Sequence, residues 1–158
     1  MSNPTQSPDG RTLVYQRGGA PWWRKGYRGS ANAELWAYDF AGQKSRRLTT
    51  FDGNDAWPLW SRDGKSLFYV SDRPRQPSLW KMNADGTRAR LCLEFADDDI
   101  QYPGISRDGR TLVYEYDHRL WTLSTEEGAR PVEVTVTLPD PMPLPPDKQE
   151  TVTAGASE

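Results

Sequence analysis

The apolar and polar positions of this chain follow a pattern that recurs three times. Each repeat places an apolar run, rich in aromatic and β-branched residues, shortly after an Asp-Gly pair, as at 67–70. A Leu-Trp pair and a second glycine-containing turn follow. An Asp-Gly pair before such a run is typical of a tight hairpin turn, because glycine tolerates a positive φ. No segment keeps a helical period, so the pattern predicts an all-β chain.

This order of turns predicts four strands in each repeat. A continuous apolar run such as 67–70 is expected of a strand that is covered on both faces. The third strand carries the Leu-Trp pair. The fourth strands are predicted at 47–49, 90–92 and 132–134.

The spacing of the repeats predicts a β-propeller. Ser7, Ser61 and Ser106 open the repeats and are 54 and 45 residues apart, close to the roughly 40–45 residues of a four-stranded blade. Closed propellers need about four to eight blades. We therefore expect a partial propeller that exposes a blade face at each end. The predicted blades are 4–50, 56–95 and 101–138, and the Pro-rich tail at 139–158 is predicted to be a linker towards a further repeat.

Residues that recur at equivalent positions in the repeats are expected to be structural. They comprise the turn residues, which favour tight turns, and one tryptophan per blade. They are Ser7, Asp9, Gly10, Trp36, Ser61, Asp63, Gly64, Trp80, Ser106, Asp108, Gly109 and Trp121.

The repeats differ most in the loop between their second and third strands. Because strands of a blade alternate in direction, these loops share one face with the crossovers between blades, here called the loop face. Insertions on one face of a repeat protein usually mark its binding side. The longest insertion, 17–28, interleaves basic and aromatic residues without an acid. The candidate binding residues of the loop face are Trp22, Trp23, Arg24, Lys25, Tyr27, Arg28, Arg73 and Arg75.

Three kinds of contact suit this insertion. Its arginines and aromatic rings match a peptide carboxylate and apolar side chains. They also match nucleic-acid bases and phosphates, or packing against a neighbouring part of the protein. The 20 basic and 22 acidic residues leave a net charge of −2, which provides no general attraction for nucleic acid or an anionic membrane. We therefore expect neither as a partner.

Composition excludes other classes of protein. The chain of 158 residues is 35% hydrophobic and 11% aromatic, which does not suit a coiled coil or a transmembrane protein. Its single cysteine, Cys92, cannot form an internal disulfide and is predicted to be a small buried or half-buried side chain. The first residues lack the basic start and apolar run of a signal peptide. A cytoplasmic location is expected, with the periplasm as the alternative.

The residue types that carry chemistry do not form a recognisable site. A catalytic nucleophile is needed once, whereas the serine occurs in every repeat, and the lone His118 falls in a predicted turn. The acidic loops at 52–55 and 97–99 offer oxygen ligands for calcium but lack the EF-hand spacing. Solvated loops are the favoured interpretation. We expect no catalytic residue, metal or cofactor in this chain.

The repeats resemble the WD-like propeller repeats of the TolB family and the N-terminal propellers of tricorn-type serine peptidases. That repeat reads Pro-x-x-Ser-Pro-Asp-Gly-Lys, an apolar strand ending in Ser-Asp-Arg, then Leu/Ile-Trp and Asn-x-Asp-Gly. Residues 58–86 match it closely, including Ser-Asp-Arg at 71–73. The segments 24–32 and 102–106 look more like the tricorn type. The resemblance covers roughly 4–138.

The resemblance implies a non-catalytic role for this chain. Tricorn-type enzymes carry their catalytic groups in domains after the propellers, so this chain is expected to be a non-catalytic fragment that contributes to substrate access or domain assembly. The alternative is a TolB-like module that binds a protein partner through its loop face. A third hypothesis pairs two copies into a six-bladed ring. The expected partners are therefore the rest of a larger propeller or peptidase chain, a peptide substrate, or a second copy. Because 150–158 resembles a strand that leads into another repeat, we also expect a truncated chain.

Overall fold

The computed structural model describes residues 1–19, 27–74 and 76–137, which form three four-stranded antiparallel sheets. Blade 1 contains β1 (Ser2–Gln6), β2 (Thr12–Arg17), β3 (Glu34–Asp39) and β4 (Lys44–Arg47). Blade 2 contains β5 (Asp55–Trp60), β6 (Ser66–Ser71), β7 (Ser78–Asn83) and β8 (Arg90–Leu93). Blade 3 contains β9 (Gln101–Ile105), β10 (Thr111–Tyr116), β11 (Arg119–Ser124) and β12 (Val132–Val134). These sheets confirm the all-β, three-blade prediction.

Residues 1–19, 27–74 and 76–137 include no helix long and apolar enough to cross a membrane. The Pro-rich tail predicted at 139–158 lies outside them.

A turn with the same hydrogen bonds joins the first two strands of every blade. In blade 2 the Ser61 hydroxyl donates to the Asp63 carboxylate at 2.7 Å and accepts from the Ser66 amide at 3.0 Å. Gly64 adopts a φ of +67° there, a conformation that glycine accommodates without a steric penalty. Ser7 and Ser106 make the equivalent contacts in their blades. Each of these serine hydroxyls is thus engaged in its own turn.

The blades pack face to face, with alternate side chains of β6 pointing to opposite neighbours. Leu67 and Tyr69 join the apolar cluster shared with blade 1, whereas Phe68 and Val70 join the cluster shared with blade 3. This confirms that the apolar run of blade 2 is covered on both faces. The first strands of neighbouring blades contact each other and the described fourth strands do not, so the blades fan out from an axis beside the first strands.

Among the residues that the structure describes, another blade covers only one face of each of the outer blades, blade 1 and blade 3. In blade 3, β12 pairs with β11 so that Val132 and Val134 lie on the same face as Leu120. Together with Val113 they form an apolar surface, here called the trailing face, and Val132 is 62% exposed. In blade 1, Leu13 and Tyr15 alternate with Val14 and point away from blade 2, with Tyr15 buried and Leu13 half-buried. They form the leading face with Trp36 and Tyr38, their cross-strand partners.

The fourth strands of blades 1 and 2 differ from the prediction. In blade 1 the strand is Lys44–Arg47 rather than 47–49, because the Leu35 amide donates to the Thr49 side chain and not to a backbone carbonyl, which ends the ladder. In blade 2 the strand extends to Leu93, and a register shift leaves Cys92 as an extra residue. Cys92 is consequently exposed, and the prediction of a buried or half-buried side chain was wrong. Desolvation nevertheless raises the pKa of its thiol.

Candidate functional site

Of the predicted binding residues, Tyr27, Arg28 and Arg73 lie in the described part of the loop face. Trp22, Trp23, Arg24, Lys25 and Arg75 lie outside the described residues. Both described arginines lie over Phe51 in the crossover from blade 1 to blade 2, at 50–54, and Arg73 also pairs with Asp55, the first residue of β5. The described site is therefore centred on this crossover.

Arg73 is enclosed at the centre of the site. Its guanidinium forms a bidentate ion pair with Asp55, at 2.6 and 3.0 Å, and Asp55 is only 1% exposed. The same group donates to the hydroxyls of Ser71 at 2.7 Å and Tyr69 at 3.1 Å. It also lies over the ring of Phe51, 4.6 Å from its centroid. With its donors used in this way, Arg73 holds the crossover against blade 2.

Burial of the pair is reflected in its titration. Desolvation raises the pKa of Asp55, while the charge of Arg73 and the hydrogen bond with Ser71 act in the opposite direction. Desolvation also raises the pKa of Tyr69, well above the usual value for tyrosine. An environment that penalises charge this strongly makes the carboxylate dependent on its guanidinium partner.

Arg28 reaches the same crossover from the first loop. Its guanidinium contacts the Asp72 carboxylate at 2.7 Å and the Asp72 carbonyl at 3.3 Å. Asn54 donates to that carboxylate through both its backbone amide, at 2.8 Å, and its side chain, at 2.9 Å. The Arg28 side chain remains 39% exposed, and Tyr27 beside it is half-buried. Arg28 is thus the more accessible of the two described arginines.

Sequence reasoning missed several residues of this site. Asp72 and Asn54 lie in the motif and the loop that the sequence singled out, but nothing there indicated that they pair with each other. The acidic loop at 52–55 was expected to be solvated, and for Asp55 this was wrong because Arg73 supplies a buried counter-charge. Asp52 is exposed and accepts a hydrogen bond from Asn32 at 3.1 Å.

The comparison with protein families assigns this architecture. Residues 1–129 match the tricorn protease N-terminal beta propeller domain. The chain belongs to this family. The predicted resemblance to tricorn-type and TolB-like propellers is confirmed, and the chain is a propeller segment of a tricorn-like protein.

Individual relatives agree with the assignment. Tricorn protease homolog 1 of Streptomyces coelicolor is 30% identical over 120 residues, which cover 75% of this chain and 11% of that protein. The crystal structure of the tricorn protease aligns with a TM-score of 0.67 at 18% identity, over 84% of this chain and 13% of that one. A putative TolB from Agrobacterium tumefaciens aligns with a TM-score of 0.66 at 21% identity, over 81% and 46%. These two structures show the shared fold. The chain spans about a tenth of the length of its curated tricorn relatives.

The tricorn-type segment brings no described serine and histidine together. The repeat serines donate to turn aspartates, and His118 lies exposed in the hairpin turn of blade 3. Within 1–19, 27–74 and 76–137, no three His, Cys, Asp or Glu side chains are grouped to hold a metal ion. Among the described residues, the repeat serines and His118 are therefore not paired as nucleophile and base.

The turn aspartates predict a specific loss of stability in acid. Hydrogen bonds from the turn serine and the backbone hold the pKa of Asp9, Asp63 and Asp108 below the usual range. Such a group stabilises the fold above its unfolded pKa of about 3.9, and this stabilisation is lost as pH falls through its folded pKa. We expect the melting temperature to fall less steeply below about pH 4 in Asp63→Asn, because the amide oxygen accepts hydrogen bonds without titrating.

Circular dichroism melts at steps from about pH 6 to pH 2, the range that spans these carboxyl groups, measure this difference. The buried Asp55 has its pKa shifted in the opposite direction, but it is present in both proteins and cancels in the comparison. Identical acid slopes for the two proteins would contradict the role of the turn carboxylate.

Proposed function

We propose that this chain is a non-catalytic part of a larger tricorn-type propeller, where it contributes to substrate access and domain assembly. The observation that carries the proposal is that, in a member of this family, no described blade packs on the apolar leading face or the apolar trailing face. Leu13 and Leu67 occupy the same repeat position, yet only Leu67 is covered by a preceding blade. Val113 and Phe68 likewise share a position, and only Phe68 is covered by a following blade. Further blades would therefore cover these two apolar faces in the same way that blades 1 and 3 cover blade 2.

The loop face supplies the proposed contact with substrate. Arg28 is partly exposed beside the aromatic Tyr27, and the sequence places further basic and aromatic residues directly before them. A guanidinium suits a peptide carboxylate, and aromatic rings suit its side chains. The proposed substrate class is therefore an unfolded peptide with a free carboxyl end, which the propeller binds and passes on without cleaving.

A peptide-binding experiment tests this role. The probe is the hexapeptide Ala-Ala-Phe-Ala-Ala-Ala with a free carboxylate, titrated into the purified chain by calorimetry. We expect binding without cleavage, and an affinity about tenfold weaker for Trp22→Ala/Trp23→Ala/Arg24→Ala, which removes charge and aromatic contacts. Amidation of the peptide's carboxyl end is expected to have a similar effect.

The matched control is Phe40→Ala, which removes an exposed aromatic residue from a β3–β4 turn that lies on the face opposite the loop face. It is expected to leave the affinity unchanged. If the loop variant folds normally and binds the peptide as tightly as the wild type, the loop is not a peptide site. A loop variant that loses only a protein partner would favour the TolB-like alternative, in which the loop face binds another protein.

The end faces also support the pairing of two copies. Arg46 of β4 donates to the carbonyl oxygens of Ala84 and Asp85 in the next blade, and Arg90 of β8 contacts Glu127 in blade 3. The equivalent residue of β12 is the exposed Val132. The matching turn of blade 1 offers apolar residues, Phe40 and Ala41, in place of Asp85.

At the trailing face the arginine of these contacts is thus replaced by Val132, and the matching turn of blade 1 has Ala41 where blade 3 has the acidic Glu127. The trailing face of one copy thus suits the leading face of another, and two such contacts would close a ring of six blades. This contact is heterologous, since each face binds its complement rather than itself.

A further inference from the structure

Each first strand contains one non-glycine residue in the left-handed region. Asn3, Trp57 and Tyr102 have φ values of 49°, 50° and 47°. In every case the next residue is proline, which further restricts the backbone of the residue before it. A left-handed backbone is unusual for a residue with a bulky side chain, and residues strained in this way cluster at functional sites.

A β-bulge in the first strand belongs to the blade architecture, but that architecture does not require an aromatic side chain at the bulge. The register of β1 with β2 shifts between Ser2 and Thr5, and that of β5 with β6 shifts between Ala56 and Leu59. Blade 1 satisfies this geometry with asparagine, a residue that tolerates the left-handed region. Blades 2 and 3 instead place large rings there, which architecture alone would disfavour. A bulge is also a known means of redirecting a side chain.

The redirected rings of blades 2 and 3 meet beside the axis. The ring centroids of Trp57 and Tyr102 are 6.2 Å apart, with 44° between the planes. Trp57 is half-buried against the cluster between the two blades, whereas Tyr102 is 71% exposed. The Trp57 ring is therefore packed against the blades, and the Tyr102 ring beside it is exposed to solvent.

The surroundings of the two rings indicate what they would bind. Their sequence neighbours, Ala56, Pro58, Gln101 and Pro103, carry no charge. Each proline also removes one backbone donor from its strand, which disfavours the addition of another strand at this point. A ligand must use its side chains, and an uncharged aromatic wall favours an apolar or aromatic one.

We propose that Trp57 and Tyr102 form an axial subsite for an apolar or aromatic side chain of an extended peptide. This inference rests on the proposed role of the chain in peptide access, and it adds a contact separate from the loop face. The loop face holds the carboxyl end of the peptide, and the axial subsite selects a side chain a few residues before that end.

Tyr102→Asn tests the subsite, since asparagine suits the backbone and removes the exposed ring. We expect urea unfolding to show unchanged or increased stability, together with about tenfold weaker binding of Ala-Ala-Phe-Ala-Ala-Ala. Replacing the Phe of the peptide with Asp is expected to weaken binding to the wild type by a similar factor, and Tyr102→Asn should not discriminate between the two peptides. Leu91→Asn, which removes an exposed apolar side chain from β8 on the outer side of blade 2, serves as the control and should bind both peptides like the wild type.

The outcomes separate this subsite from the proposed function. If Tyr102→Asn loses stability and keeps its affinity and its preference for Phe, the rings only join the blades, and the subsite is wrong. Binding that depends on the loop residues but not on Tyr102 would overturn the subsite alone and leave the proposed function standing. A wild-type chain that binds neither peptide at millimolar concentration would overturn both.

Discussion

Replacing Arg73 with methionine is expected to destabilise the fold by about 3–5 kcal/mol, the usual effect of removing one partner from a buried ion pair. The variant would leave the Asp55 carboxylate, 1% exposed, without its counter-charge. It would also remove the donors that now satisfy the Tyr69 and Ser71 hydroxyls. Methionine preserves much of the apolar volume, so the loss reports mainly on charge and hydrogen bonding. Urea unfolding followed by tryptophan fluorescence measures the free energy.

Arg46→Met is the matched control for this experiment. Arg46 is an exposed arginine that links two blades by donating to backbone carbonyl oxygens. Its removal is expected to destabilise the fold by about 1 kcal/mol, the net value of ordinary hydrogen bonds. The double variant Asp55→Asn/Arg73→Met should recover part of the loss, because no charge then remains buried. Equal losses for Arg73→Met and Arg46→Met would show that Arg73 is not the buried anchor of the crossover.

Leu67→Ala and Leu13→Ala form a second comparison with a large expected difference. Both leucines occupy the same repeat position, but Leu67 is 0% exposed between blades 1 and 2, whereas Leu13 lies half-buried on the leading face. Leu67→Ala is expected to cost about 3–5 kcal/mol through lost transfer energy and the cavity left behind. Leu13→Ala should cost about 1 kcal/mol, since Leu13 is only half-buried and no described blade on that side would enclose a cavity. Chemical denaturation at low protein concentration measures both.

The third leucine at this position, Leu112, makes the comparison stricter. It is buried in the cluster between blades 2 and 3, so Leu112→Ala should resemble Leu67→Ala. A cost for Leu13→Ala equal to the other two would mean that the leading face is already covered. That result would contradict its description as an open face.

The repeat signals that are local in sequence predicted most of the fold. The Asp-Gly turns identified the first hairpin of each blade, because the turn serine, aspartate and glycine interact within a few residues. The continuous apolar run of β6 predicted coverage on both faces, which the structure confirms. Propeller blades are built mainly from neighbouring antiparallel strands, so such local signals specify much of their architecture.

What the sequence did not predict depends on contacts between distant positions. Arg28 and Asp72 are 44 residues apart in the chain, and no local pattern indicated their pairing. The burial of Asp55 follows from Arg73 folding back over the crossover. The extra residue in β8 that exposes Cys92 is a matter of strand register, which depends on the partner strand. The left-handed backbone of Trp57 could not be predicted for the same reason, because its bulge is defined by the pairing of β5 with β6.

The central claim is that the leading and trailing faces are docking surfaces for further blades, and sedimentation velocity tests it most directly. Between about 1 and 100 µM, we expect the wild-type chain to shift from monomer to dimer as the apolar faces become paired. Leu120→Lys/Val134→Lys, which charges the trailing face, should stay monomeric and folded, while Ser30→Lys, on an exposed loop, should associate like the wild type. A wild-type chain that remains a folded monomer throughout this range would contradict the claim.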